Sequence, residues 1–155
     1  MKKPILFALL AAVLALPAAD ARASNRKIDA KFNNADVNDD NVLNELEFFA
    51  TQTKKLSAAF ARFRFQNADV NDDGFVDLTE FRASRGGISG GKPTKIEIFV
   101  LSDQDDDGTL DVLEYADTQR QSMPWASVLK GFGKRDRDDN SELTPREFGI
   151  RRFAR

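Results

Sequence analysis

Apolar residues return along this chain at fixed distances from short acidic segments. Phe32, Phe65, Phe99 and Phe132 each stand four residues before such a segment; Leu43, Val76, Leu110 and Leu143 sit inside it; Phe48, Phe81, Tyr115 and Phe148 follow its last acid. Ile28 and Phe32 are four apart, as are Val128 and Phe132, with Trp125 extending that last stripe. This spacing puts side chains on one helical face. After each acidic segment a polar residue is followed three positions later by glutamate, most plainly in Thr144-Pro145-Arg146-Glu147. Threonine at the cap, proline at the first helical position and glutamate at the third are helix-start signals. The pattern therefore predicts helix, polar loop, helix, four times.

The polar loops are copies of one another. DVNDDNVLNELEF starts at Asp36, DVNDDGFVDLTEF at Asp69, DQDDDGTLDVLEY at Asp103 and DRDDNSELTPREF at Asp136, at intervals of 33, 34 and 33 residues. A fixed period marks a repeat architecture. Acidic low complexity would not hold apolar positions in register with the charges. Between the second and third copies lies RGGISGGKP, Arg85 to Pro93, whose glycines and proline end a helix and mark a flexible joint. The expected organisation is a lobe over 24–85, a linker over 86–93 and a second lobe over 94–155. Whether the lobes dock is not readable from the pattern.

Composition narrows the chemistry. The 155 residues are 41% hydrophobic and 31% charged, with thirteen phenylalanines, as suits a globular protein with an aromatic core. There is no histidine and no cysteine, which excludes Ser-His-Asp and Cys-His nucleophile arrangements, ordinary zinc sites and disulfides. The first 23 residues, MKKPILFALLAAVLALPAADARA, run from two lysines through an apolar stretch, Ile5 to Leu16, to small residues. That order matches a bacterial-type signal peptide, with cleavage after Ala21 or after Ala23 both open. The apolar run is too short to span a bilayer of about 30 Å. The expected location is periplasmic or secreted. Without residues 1–23 the chain has 20 basic and 24 acidic residues, a formal charge of −4.

The four segments resemble EF-hand loops, D-x-[DN]-x-[DN]-G-x5-E, and residues 24–155 look like a four-hand, calmodulin-like member of that superfamily. The resemblance implies an all-α fold of two lobes, each a pair of helix-loop-helix hands with short β-bridges between paired loops. It also implies Ca2+, which takes six to eight oxygen ligands at about 2.3–2.6 Å from loop positions 1, 3, 5, 7, 9 and 12. Carried over residue by residue, the first site is Asp36, Asn38, Asp40, the Val42 carbonyl, Asn44 and Glu47. The second is Asp69, Asn71, Asp73, the Phe75 carbonyl, Asp77 and Glu80, and the third is Asp103, Asp105, Asp107, the Thr109 carbonyl, Asp111 and Glu114. The fourth is Asp136, Asp138, Asn140, the Glu142 carbonyl, Thr144 and Glu147. Position 6, where glycine accepts positive φ, is Gly74 and Gly108 in the middle loops but Asn41 and Ser141 in the outer ones. Asparagine visits the left-handed region more readily than serine, so the expected order of affinity is second and third, then first, then fourth. Arg137 also sets a cation beside the fourth loop. Positions 9 and 12 would serve as a helix cap without any metal. A bidentate glutamate favours calcium over magnesium, which demands a tight octahedron.

The expected function is an exported calcium-binding protein that changes conformation or stability with calcium and acts through a protein partner. No nucleic-acid partner and no enzymatic activity are expected. A glycosidase needs two acids across a cleft, and the clustered acids here are accounted for as ligands. The alternative is a calcium-stapled adhesion module resembling dockerin, against which stand Glu at position 12 and a helix before each loop. Affinities of about 10⁻⁴–10⁻³ M are typical of extracellular sites. Past residue 23 there is one methionine, Met123, so a methionine-rich target groove is not indicated. The C-terminal REFGIRRFAR, Arg146 to Arg155, reads as an exiting helix whose arginines complement its C-terminus, in preference to a membrane contact.

Overall fold

Four helix-loop-helix units follow one another in this computed structural model, which describes residues 18–152. The expected targeting run, Ile5 to Leu16, and the C-terminal Phe153 lie outside those residues. Eight helices form among the described residues: α1 (Ala18–Ala35), α2 (Glu45–Ala50), α3 (Ala58–Ala68), α4 (Leu78–Ala83), α5 (Lys95–Ser102), α6 (Val112–Asp117), α7 (Trp125–Gly133) and α8 (Pro145–Phe148). Strands are minimal. β1 (Val42–Leu43) pairs antiparallel with β2 (Val76–Asp77), and Leu110 makes an isolated antiparallel bridge to Leu143. The fold is all-α.

Local sequence sets where the helices after the loops begin. Asn44, Asp77, Asp111 and Thr144 each accept the N–H of the glutamate three residues on, and that glutamate's carboxylate accepts the cap residue's own N–H. Such a reciprocal pair satisfies two backbone donors that a helix start leaves open. Pro145 occupies the first turn of α8, as its fixed φ favours.

The apolar register explains the packing. All twelve positions singled out by the repeat are buried, none more than 8% exposed. They form two clusters of the same design. Around Phe32, Phe48, Phe65 and Phe81, ring centroids lie 5.6 Å (Phe32–Phe81), 5.4 Å (Phe48–Phe65) and 6.1 Å (Phe48–Phe81) apart. The corresponding contacts around Phe99, Tyr115, Phe132 and Phe148 are 5.6 Å (Phe99–Phe148), 5.7 Å (Tyr115–Phe132) and 6.5 Å (Tyr115–Phe148). Edge-on pairs at these distances add about 0.5–1.5 kcal/mol each beyond their buried area.

Helices α3 and α5 pack against each other, joining the two clusters. Arg62 of α3 donates to Glu45 Oε1 (3.0 Å), to the Leu101 carbonyl (3.0 Å) and to Asp117 Oδ2 (2.8 Å). The turns after α2 and α6 also meet: Ser57 bridges to Arg120, and the Gln121 N–H donates to the Leu56 carbonyl at 3.1 Å.

Three local expectations change. Trp125 starts α7 but stays 48% exposed, so the buried stripe on that helix is Val128 and Phe132. The first half of the glycine linker is packed, not free. Gly86 and Gly87 are buried, and a Cβ on Gly87 would lie 2.7 Å from the Phe48 ring, an approach that only glycine allows. Finally, α8 stops at Phe148 with Gly149 at φ 95°, and the Ile150 N–H returns to the Pro145 carbonyl at 2.7 Å. That left-handed cap ends the helix, so Arg151 and Arg152 lie beyond it and only Arg146 belongs to its last turn.

Candidate metal centre

Each loop is folded by its own side chains around its acidic residues. The first-position aspartates, Asp36, Asp69, Asp103 and Asp136, accept the N–H of the sixth residue at 2.9–3.1 Å. The fifth-position side chains of Asp40, Asp73, Asp107 and Asn140 accept the N–H of the seventh residue at 2.7–3.0 Å. Those seventh residues are Val42, Phe75, Thr109 and Glu142, whose carbonyls are the expected backbone ligands.

The closing glutamates tie the two ends of each loop together. One oxygen of Glu47, Glu80, Glu114 and Glu147 accepts the N–H of the second loop residue at 2.7–3.0 Å. The other accepts the N–H of the ninth residue, Asn44, Asp77, Asp111 or Thr144, at 3.0–3.1 Å. An ionised carboxylate has about four lone-pair directions, so these bonds leave acceptor capacity for a cation. At Glu147 the Arg137 N–H, the Thr144 hydroxyl and the Thr144 N–H hold the carboxyl below the usual range. Arg137 thus acts on the fourth loop chiefly through its backbone, with a smaller charge effect.

Backbone torsions show how the turn is made. Gly74 and Gly108 take φ 83° and 91°, and Asn41 and Ser141 reach the same region at 68° and 69°. Serine therefore does not stop the fourth loop from closing; the bond from its N–H to Asp136 Oδ2 (3.0 Å) holds it there against an intrinsic cost of about 1–2 kcal/mol. A second left-handed residue escapes a reading that stops at position 6. Asp39, Asp72, Asp106 and Asp139, fourth in each loop, have φ of 56–60°. Their signal in the sequence is an aspartate at the same place in all four copies.

The loops differ in how many carboxylates converge. In the third, one oxygen from each of Asp103, Asp105 and Glu114 lies within 4.8 Å of the others, and in the fourth the same holds for Asp138 with Asp136 and Glu147. In the first and second loops position 3 is asparagine, whose amide donates to the fifth-position aspartate: Asn38 to Asp40 at 2.8 Å and Asn71 to Asp73 at 2.9 Å. That substitution replaces carboxylate repulsion with a hydrogen bond and leaves the amide oxygen as the neutral donor. Asp103 and Glu114 are 6% and 7% exposed, and charge so removed from water requires compensation.

The donor set fits a calcium-sized ion. Two oxygens on opposite sides of an ion at about 2.4 Å stand about 4.8 Å apart, and the clustered carboxylate oxygens of the third and fourth loops lie no farther apart than that. All donors are oxygen, the chemistry of a hard cation.

Comparison with known proteins agrees with this geometry. Residues 58–118 match the family model described as an EF-hand domain pair. The match covers the second and third units, the two with glycine at the sixth position, while backbone pairing joins the first loop to the second and the third to the fourth. No curated protein matches the chain. Among solved structures, a redox protein from Chlamydomonas reinhardtii is similar at 17% identity and a TM-score of 0.35, over 86% of this chain and 49% of that one. The chain thus spans about half the length of that structure. The EF-hand match and the two carboxylate groups together support calcium binding.

Proposed function

We propose that this chain is an exported calcium-binding protein whose four loops each take one Ca2+ through the twelve-residue ligand sets given above, and which acts through a protein partner. The observation that carries the reading is the convergence of three carboxylate oxygens within 4.8 Å of one another in each of the helix-bounded third and fourth loops, whose pattern the first and second loops repeat. The basic, apolar, small-residue order of residues 1–23 supports export. Loading removes repulsion between carboxylates and locks each loop to its flanking helices. At free calcium a hundred times the dissociation constant, one site stabilises the fold by about 2.7 kcal/mol. The chemistry is binding without turnover, since every acid of the two converging carboxylate groups has a place in a ligand set.

The adhesion-module alternative receives less support, because a helix precedes each loop and each closes with glutamate. Calcium titration by calorimetry, followed by near-UV circular dichroism, tests the proposal. Saturable uptake should lose one equivalent on Glu114→Gln and one on Glu80→Gln, with an aromatic signal change on loading. Uptake without spectral change would instead indicate a static staple, and no uptake at millimolar calcium would overturn the reading. Mass analysis of the exported chain distinguishes cleavage after Ala21 from cleavage after Ala23.

A further inference from the structure

In the first lobe, α1 and the end of α4 with the turn after it line an open cavity of about 570 Å³. It is lined by Ile28, Gly86 and the exposed Ile88 together with Lys27, Lys31, Arg82 and Arg85, with no acid among the described lining residues. Lys27 lies nine residues before Asp36, about 13 Å along a helix, so the cavity is separate from the calcium loops. Four cations converging on an otherwise acidic chain need a reason.

Stability accounts for Arg82, which pairs with Asp29, but not for the other three. Lys27 and Lys31 are four apart on one helix, a like-charge pairing that destabilises. Lys31 is part-buried, yet its ammonium meets only the Gly86 carbonyl (2.8 Å) and the Phe81 ring (5.6 Å to the centroid). Two of its three donors have no acceptor among the described residues. Burial, and then the charge of Arg64, push that ammonium below its ordinary range. The nearby carboxylate of Asp29 is already held in a two-point pair with Arg82, at 2.7 and 2.8 Å. Arg85 takes φ 54°, a strained setting for a side chain that gains no partner among the described residues.

From this we infer that the cavity is a binding site for a phosphate ester. An anion there would accept from Lys27, Lys31 and Arg85 at once, and charge-assisted bonds of this kind are the strong ones. Its volume suits a small ligand. The site lies beyond the calcium-binding reading and does not depend on it.

The test compares the full chain with Lys27→Gln/Arg85→Gln, and with Lys130→Gln/Arg152→Gln as a control of equal charge change on the second lobe. Probes are glycerol 3-phosphate by calorimetry, and phosphatidylcholine vesicles with and without phosphatidylglycerol by co-sedimentation. Saturable binding that falls roughly tenfold or more in the cavity variant, but not in the control, supports the site. A response to glycerol 3-phosphate identifies a free phosphate ester, and a response confined to phosphatidylglycerol vesicles identifies a lipid headgroup. Without ligand the cavity variant should melt no lower than the parent, since it loses only repulsion. Binding of neither probe, equal losses in both variants, or a lower melting temperature of the cavity variant would overturn the inference.

Discussion

At the scale of single residues, position 6 sets how backbone strain differs between the loops. Ser141 holds φ 69° where Gly74 and Gly108 sit without penalty. Ser141→Gly should remove about 1 kcal/mol of left-handed cost and, on the proposed reading, tighten calcium binding at the fourth loop about fivefold; unchanged binding there would mean that the strain is already relaxed. A second residue-level test concerns Gly131, which makes room for Tyr115. A Cβ on Gly131 would meet the Tyr115 hydroxyl at 2.9 Å but the nearest ring carbons only at 3.6 and 3.7 Å. Alanine in a helix gains about 1 kcal/mol over glycine. Gly131→Ala should therefore raise the thermal midpoint in a Tyr115→Phe background and not in the parent. Equal effects in both backgrounds would show that the hydroxyl moves aside freely. The cost of a left-handed serine was readable from residue type, whereas the Gly131 contact was not, because it depends on a tyrosine sixteen residues away.

Elements are held by their caps, their apolar stripes and a few long-range pairs. The caps and stripes were legible. Thr144, Pro145 and Glu147 announce α8, and the aromatic positions at fixed distance from each loop all reach the core. Where helices stop was harder to read: Gly149 ends α8 after four residues because a left-handed cap returns Ile150 to the core. The Asp29–Arg82 pair between α1 and α4 was invisible in the repeat, since its members are 53 residues apart. It also predicts a pH dependence. Hydrogen bonding to Arg82 lowers the Asp29 pKa from its ordinary 3.8. The contribution of the pair is therefore complete above that value and is lost as pH falls through the lower folded one. In chelator, Asp29→Asn should lower the melting temperature at neutral pH and leave it equal to the parent in acid below that window. A difference that persists in acid would assign Asp29 a role other than its charge.

For the whole molecule, the decisive contacts join segments that no local pattern relates. Lobe docking was unreadable from the repeat because Arg62, whose side chain bonds across the junction, occupies no repeated position. Its placement links helices that flank three of the loops. Arg62 belongs to α3, which leads directly into the second loop at Asp69. Its guanidinium reaches the Leu101 carbonyl, two residues before the third loop, and Asp117, three residues after that loop closes. Gln104, second in the third loop, donates to the same Asp117 oxygen at 3.0 Å. One side chain on the helix entering the second loop thus grips both ends of the third, with Glu45 of α2 as its remaining partner. On the proposed reading, loading one lobe reorients its helices and changes this arrangement, so the lobes should share binding energy. The pairs are partly exposed, which limits the coupling to about 1 kcal/mol, or about fivefold in affinity. Disabling the first lobe with Glu47→Gln/Glu80→Gln should weaken calcium binding in the second by that factor, and adding Arg62→Met should abolish the effect. If second-lobe affinity ignores the first lobe with Arg62 in place, the clasp fixes the shape of the molecule without carrying calcium information between its halves.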